Sequence, residues 1–421
     1  MRAICWVRND LRVDDHAALA AFAARAREGW VVWTPGASLA RAGTWRRDFT
    51  LACVREFGRR VESLGGAFVA LAEPAAEGSL PQLVTTLGVD TVFHGREVAP
   101  EEHADEASIA ALPGLRIEAF DQASLLDPAR LPFAVPQTPE VFSQFRRRVE
   151  GRIEHPAPLP APAHLPAAPG DARITAALEA TPMLDLDGTL AEARFHPRIP
   201  PGEAAGLARL EDYVWRLDRP RTYRETRDGL LEWDDSTKLS PWLALGALSA
   251  RRVQAEVARY ERERVKNDST YWIGFELLWR DYFRLVAAKH GARLFARGGP
   301  RGAAREEPSD AEARFERWRG GETGDAFIDA NLRELNATGW MSNRGRQNVA
   351  SHLAKTLGVD WRRGAAWFER QLIDYDVASN WGNWAYVAGT GQDPRDRVFD
   401  PARQAETYDP QGLYRARWAR S

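Results

Sequence analysis

The sequence has very little cysteine. Its 421 residues include only Cys5 and Cys53, and neither stands in a CxxC pair. This spacing excludes the thiolate clusters that hold structural zinc and iron–sulfur centres. Both residues lie among apolar neighbours, so we expect reduced thiols in the core, and no metal site is predicted.

Long apolar runs are also missing. The N-terminus reads "MRAICWVRNDLRVDD", in which a short apolar run is followed at once by charge. That run is too short for a signal peptide, and no stretch of the chain is long enough to cross a bilayer. The sequence therefore predicts a soluble, cytoplasmic protein with no membrane partner.

The N-terminal part lacks the usual nucleotide-binding loops. The runs "AICWV", "WVVW", "AFVAL", "TVFHG" and "LRIEAF" alternate with helical patterns near 16–27, 44–64, 79–87 and 101–112. This alternation predicts an α/β domain with a doubly wound parallel sheet. The segment "RNDLRVDDHAAL" follows the first strand where a GxGxxG or Walker A loop would stand, so a dinucleotide or P-loop site is not supported.

Composition divides the chain into three parts. The segment that begins at Glu154, "EHPAPLPAPAHLPAAPGD", is rich in proline and alanine and predicts an extended linker. Helical patterns prevail from about residue 203 onward. We therefore predict an α/β domain over 1–130, a linker over 131–200 and an all-α domain over 201–421. The net charge is −2, and the excess of basic residues lies in the C-terminal part, where contacts with phosphates are expected.

Three stretches of the helical part carry groups suited to anions and to polar recognition. In "FELLWRDYFR", Glu276 and Arg280 are four residues apart and share one helical face, which also fits an ordinary surface ion pair. In "SNRGRQNVASHL", arginines follow Ser342 at the start of a helix, a pattern that fits an anion site or only a capped helix. In "DDSTKLSPW", hydroxyl groups precede a short helix and could hold a phosphate. The stretch "DYDVASNWGNWAYVAGTG" adds carboxylates, an amide and tryptophans, but no histidine and no activated nucleophile.

Taken with "WVRNDLRVDDHAAL", "PEVFSQFRRRVE" and "YDPQG", these stretches resemble the photolyase/cryptochrome family, and more closely its cryptochrome-DASH branch. The resemblance covers nearly the whole chain. It implies an N-terminal antenna domain and a helical domain that holds FAD. The family's reaction is light-driven electron transfer from reduced flavin to a cyclobutane pyrimidine dimer, so the flavin supplies the chemistry and no acid–base triad is needed.

The resemblance implies FAD contacts at two groups of positions. Those that match the segment around the FAD phosphates are Tyr223, Ser236, Thr237, Lys238, Leu239 and Ser240. Those that match the surroundings of the flavin and ribose are Asn343, Arg346, Asp374, Asp376 and Asn380. Within the second group, Arg346 would pair with Asp374, and Asn380 would face flavin N5.

The resemblance also implies a lesion pocket. Glu276 matches the carboxyl that hydrogen-bonds the thymine bases, and Trp279 matches one apolar wall. Tyr386 stands where classical photolyases have the tryptophan of the opposite wall, and Gln347 where they have a methionine. This smaller, more polar pocket favours dimers in single-stranded DNA, where unpairing costs little. Positions assigned to DNA contacts at the rim are Arg227, Arg280, Arg344 and Gln404.

The resemblance also implies an antenna site and a chain of tryptophans that reduces the flavin, and at both this sequence departs from the family. Glu97 and Gln144 match positions that hold methenyltetrahydrofolate as an antenna, although both also fit ordinary surface contacts and the nearby loop is compact. The tryptophans that reduce resting flavin match Trp384 and Trp361. A gap-free count places the third at Pro308, which cannot be oxidised in this role. We therefore expect slow photoreduction or another exit, for which Trp318 is the nearest candidate in the sequence.

Two functions remain open from the sequence. The first is an enzyme, a monomeric deoxyribodipyrimidine photo-lyase that prefers dimers in single-stranded DNA. The alternative is a blue-light photoreceptor that binds nucleic acid or a partner without repair. The retained Glu276 and Trp279 favour the enzyme, as does the short segment after "YDPQGLYRARW". A relative that repairs (6-4) lesions is not supported, because His352 is misplaced for it and the iron–sulfur type needs four cysteines.

Overall fold

A computed structural model describes residues 1–302, 306–392 and 397–419. The chain forms two compact units, each built from separate stretches of sequence. The first comprises residues 1–130, 154–209 and 239–255, and the second comprises residues 131–153, 210–238 and 256–421.

The first unit contains a parallel five-stranded sheet, as the alternation of strands and helices predicts. The strands are β1 (Arg2–Val7), β2 (Glu28–Trp33), β3 (Phe68–Ala70), β4 (Thr91–Gly95) and β5 (Arg116–Phe120). Their order is β3-β2-β1-β4-β5, and every neighbouring pair is parallel. Strand β1 is buried from its second residue onward, which explains its unbroken apolar run.

Nineteen α-helices are present in the described ranges of the chain. In chain order they are α1 (Ala17–Arg25), α2 (Thr44–Ser63), α3 (Ser79–Thr86), α4 (Pro100–Ala110), α5 (Phe142–Val149), α6 (Ala172–Glu179), α7 (Leu186–Thr189), α8 (Glu203–Glu211), α9 (Tyr223–Thr226), α10 (Ser240–Ala244), α11 (Ala250–Glu263), α12 (Asp268–His290), α13 (Ala311–Arg319), α14 (Ala326–Thr338), α15 (Asn343–Ser351), α16 (Trp361–Gln371), α17 (Val377–Ala388), α18 (Pro401–Tyr408) and α19 (Leu413–Arg417).

The Pro/Ala-rich segment is extended, as its composition predicts, but it is held along the first unit. Asp15 and Leu159 exchange hydrogen bonds, in which the Asp15 N–H donates to the Leu159 carbonyl over 2.9 Å and the Leu159 N–H donates to the Asp15 carboxylate over 3.0 Å. Further along, the N–H of Leu165 donates to the carbonyl of Leu64 over 2.8 Å. The segment is therefore part of this unit and not a free tether.

The two cysteines are free and buried, as their apolar surroundings predict. Burial raises the pKa of the Cys53 thiol to about 12, so it stays protonated. In the described part of the chain, no group of three or more His, Cys, Asp or Glu side chains is arranged to hold a metal ion. Over the same residues, none of the helices combines the length and apolarity that crossing a membrane requires.

Local signals define the ends of the helices around the second unit's cavity. The Ser342 hydroxyl accepts from the Gly345 N–H and caps α15, as predicted. Asp376 caps α17 by accepting from the Ser379 N–H, and Gly389 ends that helix in the left-handed conformation at φ 80°. These caps bring polar groups to the beginnings of α15 and α17.

Candidate active site

A cavity in the second unit is lined by residues from α15, α16 and α17, and it holds about 560 Å³ of empty space when its opening to solvent is included. Seven of the residues that line it are positions singled out in the sequence: Asn343, Arg346, Gln347, Asp374, Asp376, Asn380 and Trp384. The sequence did not single out the other lining residues, which include Phe368, Ser379 and Asn383. Ser379 lies inside the motif "DYDVASNW", whereas Phe368 is marked by no local pattern.

A buried ion pair stands at the wall of this cavity. Arg346 Nη2 lies 2.8 Å from Asp374 Oδ2, and the Asp374 side chain is only 1% exposed. The Arg346 Nε donates to the Met341 carbonyl over 2.9 Å, which fixes the other side of the guanidinium. The pair implied by the resemblance is therefore present, and it holds a positive charge against the cavity.

A second acid of the cavity is held in its ionised form. Burial raises the pKa of Asp376, but the charges of Arg280 and Arg284 outweigh it and lower that pKa overall. Arg280 Nη2 lies 3.9 Å from Asp376 Oδ2, and its side chain is 14% exposed. Arg280, assigned from the sequence to DNA, thus lies beside an acid that lines the cavity.

Asn380 and Trp384 bring two further polar groups to the cavity from α17. The Asn380 amide nitrogen donates to the Ala365 carbonyl over 3.0 Å, which orients the amide and keeps its oxygen as an acceptor. Trp384 is 2% exposed, and its indole N–H has no acceptor among the residues that the structure describes. A buried donor without an acceptor fits a ligand that supplies one.

The segment assigned to the FAD phosphates divides between the two units. Ser236, Thr237 and Lys238 belong to the second unit, and Leu239 and Ser240 belong to the first. Lys238 is buried, adopts the left-handed conformation at φ 56° and places its Nζ 4.1 Å above the ring of Trp340. Because Trp340 shortly precedes α15, the lysine lies close to the start of that helix. Tyr223, also in the second unit, is buried, and burial raises the pKa of its hydroxyl, which therefore stays protonated.

Glu276, on α12, forms an ion pair with Arg227. Burial raises the pKa of Glu276, and the charge of Arg227 offsets only part of that rise. Arg227 also lies over the ring of Trp272, 5.4 Å from its centroid. The structure therefore pairs Glu276 with Arg227 in a partly buried setting, whereas the spacing along α12 also fitted a surface pair with Arg280.

Trp279 and Tyr386 form an aromatic corner. Their ring centroids are 5.7 Å apart and their planes are nearly perpendicular, at 86°. The two rings therefore meet edge to face, whereas the sequence predicted that they form opposite walls of the pocket. Phe142, from α5, stacks on Trp279 at 3.7 Å and was missed from the sequence.

The remaining positions assigned to the lesion and to DNA lie in a polar network. Arg344 donates to the Gln347 side chain over 2.9 Å and pairs with Asp228 over 2.8 Å. The Gln404 side-chain oxygen accepts from Asn348 over 3.2 Å. Arg344 is thus held in place by neighbouring side chains.

The two residues assigned to the antenna fall in different units. Glu97 is buried in the first unit, where its backbone N–H donates to Glu106 over 3.0 Å. Gln144 is exposed on α5 in the second unit. Methenyltetrahydrofolate at these positions stays a prediction.

Comparison with known proteins gives the same family along both parts of the chain. The family model described as "DNA photolyase" matches residues 3–163, and the one described as "FAD binding domain of DNA photolyase" matches residues 272–420. A protein named cryptochrome DASH from Gloeobacter violaceus is 46% identical over 99% of this chain and 85% of its own length.

Two solved structures are also similar. The cryptochrome of Synechocystis sp. PCC6803 superposes with a TM-score of 0.90 at 40% identity and covers 99% of this chain and 88% of its own. A bacterial class III photolyase from Agrobacterium tumefaciens superposes with a TM-score of 0.82 at 29% identity and covers 99% and 86% of the two chains.

The unit with the parallel sheet and the helical, FAD-binding domain that contains the cavity together define a blue-light-absorbing flavoprotein. The chain belongs to the photolyase/cryptochrome family, and within that family to the cryptochrome DASH group. The family generally acts on DNA. The cavity fits FAD, because it offers a partly buried cation, an ionised acid, an amide acceptor and a free indole donor on adjoining walls.

Proposed function

We propose that this protein is a photolyase that uses blue light to split cyclobutane pyrimidine dimers, with a preference for dimers in single-stranded DNA. The observation that carries the proposal is the position of Glu276. It lies on the same face of α12 as Arg280, whose guanidinium is beside Asp376 of the cavity. Four residues of helix separate the two positions by only about 6 Å along the axis. A base that contacts Glu276 would therefore lie next to the cavity.

When bound, FAD supplies the light-driven electron that breaks the dimer. The chain's own residues hold it: Arg346 and Asp374 fix charge at one wall, and Asp376 offers an ionised acceptor. Lys238 brings a cation close to the start of α15. Asn380 presents its amide oxygen from α17.

Glu276 would recognise the pyrimidine edges. Its carboxylate, paired with Arg227, can accept hydrogen bonds from the imide N–H groups of the two thymines. Burial raises the pKa of Glu276, but the charge of Arg227 favours the ionised form, and the ion pair keeps the group oriented. In this proposal the side chain contacts both bases of the dimer.

The aromatic corner would support the extruded bases. Stacking on such rings contributes about 1–3 kcal/mol per base. One face of Trp279 is already covered by Phe142, and Tyr386 stands edge-on to it, so the apolar area that remains is limited. Extruding a dimer from a duplex costs a few kcal/mol. We therefore infer that single-stranded substrates, which avoid most of this cost, are preferred.

The experiment that tests the proposal uses Glu276→Gln. Parent and variant, each loaded with chemically reduced FAD, are illuminated with a single-stranded oligonucleotide that carries one dimer. We expect the variant to keep its FAD but split the dimer roughly tenfold to a hundredfold more slowly, since a hydrogen bond to a charged group contributes about 1.5–3 kcal/mol.

Glu263→Gln, at an exposed position on α11, is the matched control and should retain the parent's rate. Equal rates for the parent and Glu276→Gln would contradict the assignment of Glu276. Dimer binding without light-driven splitting in the parent would contradict repair and favour the photoreceptor.

A further inference from the structure

The position that the resemblance assigns to the third tryptophan of the reduction chain is occupied by proline. The described residues Glu307 and Pro308 lie against the start of α16. Glu307 accepts from the Asp360 N–H over 2.8 Å, and the Pro308 ring lies 3.7 Å from where a side chain at Gly358 would begin. This segment is therefore next to Trp361, but it offers no indole there.

Trp318, the alternative terminal electron donor expected from the sequence, lies in the core. Its ring centroid is 6.1 Å from that of Trp384, but the residue is fully buried and its N–H donates to the Val349 carbonyl. Within the described residues, its other ring contacts are with Phe315 and Phe368, which are much harder to oxidise than tryptophan. An oxidised Trp318 could neither pass the charge on nor release a proton to water.

The packing of α16 on α17 provides another route. Trp361 and Gly364 are three residues apart on one face of α16, and Trp381 and Trp384 are three apart on one face of α17. A side-chain carbon placed on Gly364 would lie 2.2 Å from the Trp384 ring, so that ring rests directly on α16. The centroids of Trp361 and Trp381 are 5.8 Å apart, with planes at 75°. The three tryptophans therefore lie along the interface between the two helices, with Trp361 and Trp381 in ring contact and Trp384 packed against Gly364, one helical turn from Trp361.

Trp381 has the two properties that a terminal donor needs. It is partly exposed, so an external reductant can reach it, whereas Trp361 is only 4% exposed. Its indole N–H donates to the Tyr375 hydroxyl over 3.3 Å, and that hydroxyl donates to Glu369 over 3.1 Å. A proton acceptor is thus already in place for an oxidised indole.

We propose that Trp381 is the terminal electron donor of this chain, in place of the residue at position 308. The proposal depends on FAD occupying the cavity beside Trp384, as argued above. Under blue light, Trp384 would give one electron to bound, oxidised FAD, and its own electron would be restored by Trp361 and then by Trp381. Trp381 thereby loses one electron, and its N–H proton passes to the Tyr375 oxygen as the Tyr375 proton passes to Glu369. An external thiol then returns one hydrogen atom to Trp381, and two thiyl radicals combine as a disulfide.

The test compares FAD-loaded parent, Trp381→Phe and Trp318→Phe under blue light with an external thiol. Loss of the oxidised-flavin absorption band gives the reduction rate. We expect Trp381→Phe to be slower than the parent by at least about tenfold and Trp318→Phe to match it. Illumination with a nitroso spin trap, followed by peptide mass spectrometry, should place the adduct on Trp381 in the parent.

Dimer splitting with chemically reduced FAD separates this proposal from the proposed function, because pre-reduced flavin does not need the tryptophans. If Trp381→Phe splits dimers at the parent's rate under that condition but photoreduces slowly, the assignment stands. If it photoreduces as fast as the parent, or if the adduct lies on another residue, the assignment is overturned. Slow photoreduction of Trp318→Phe alone would also overturn it and return the exit to Trp318.

Discussion

At the scale of single residues, the pair of Arg346 and Asp374 is the most constrained charge pair at the cavity. Asp374 is almost completely enclosed, while Arg346 keeps 24% of its side chain exposed on the cavity side. Removing one partner of a buried pair leaves the other charge uncompensated, which costs more than the pair itself contributes.

We expect Asp374→Asn to lower both FAD content and thermal stability. The substitution keeps the shape of the side chain but removes its charge, and the loss of a buried partner costs about 3–5 kcal/mol. Flavin absorbance per protein and the melting temperature measure the two effects. Asp310→Asn, which breaks an exposed pair with Arg314, is the control and should leave the melting temperature nearly unchanged. A variant with full FAD content and an unchanged melting temperature would argue against this role.

The residues found from the sequence are those whose neighbours along the chain form a motif. Asp374, Asp376 and Asn380 all lie in one stretch of seven residues, so a local pattern reveals them together. Phe142 was missed because its partner, Trp279, is more than a hundred residues away, and no local pattern encodes a stack between α5 and α12. The pairing of Glu276 with Arg227 was missed for the same reason, since Arg227 comes from a distant segment.

At the scale of elements, the close approach of α16 and α17 depends on glycine. Gly364 leaves room for the Trp384 ring, and Gly382, on α17, leaves room for Phe283 of α12. A side-chain carbon at Gly382 would lie 2.4 Å from the Phe283 ring. These glycines let α17 pack against both neighbouring helices.

Gly364→Ala should therefore destabilise the helical unit and disturb the cavity. The added methyl group would lie 2.2 Å from the Trp384 ring, which must move. Overpacking of this kind costs about 1–3 kcal/mol. Urea unfolding gives the loss of stability, and near-ultraviolet circular dichroism reports the change around the tryptophan. Gly170→Ala has no atom within 4 Å of the new carbon and serves as the control. Equal unfolding curves for Gly364→Ala and the parent would contradict the packing described.

A buried acid between α14 and α19 should make stability depend on pH. Burial raises the pKa of Glu334 to about 7, although Tyr414 donates to it over 2.6 Å. Between pH about 4.5 and about 7, the unfolded chain has this group ionised while the folded chain keeps it protonated. The contribution of Glu334 to the free energy of unfolding is therefore lost as the pH rises through that window. Above pH about 7 this contribution no longer changes.

Glu334→Gln cannot ionise, so its unfolding free energy relative to the parent should rise from pH about 4.5 to about 7 and then stay constant. Urea unfolding at several pH values measures this difference. Glu316→Gln, at a surface pair with Arg319, is the control and should show no such trend. A difference between Glu334→Gln and the parent that stays flat across the window would show that Glu334 is ionised in the folded protein.

Much of the secondary structure follows from periodicity, because apolar runs and caps are local. All five strands and the four helices between them lie at the expected places, within a few residues at each end. The strand order β3-β2-β1-β4-β5 cannot be predicted from any short segment of sequence. It depends on the face of the sheet along which each connecting helix crosses. The hydrogen bonds that hold the Pro/Ala-rich segment along the first unit are equally non-local.

At the scale of the whole molecule, the compact units do not follow the order of the sequence. Residues 239–255 belong with the parallel sheet, although they lie within the helical part of the chain, and residues 131–153 belong with the helices. A composition-based boundary cannot detect such exchanges, because the exchanged segments are helical in either unit. The excess of basic residues lies in the C-terminal part of the sequence, most of which belongs to the helical unit, and contacts of that unit with DNA stay a prediction.

The most direct test of the account is the rate of light-driven dimer loss in one oligonucleotide, measured as a single strand and as a matched duplex. Both substrates are given to protein with pre-reduced FAD, so the supply of electrons does not limit either reaction. Dimers should disappear only under blue light, and roughly tenfold or more faster in the single strand, because extrusion from a duplex costs a few kcal/mol. Equal rates on the two substrates would contradict the single-strand preference, and no light-driven loss on either would contradict photolyase activity itself.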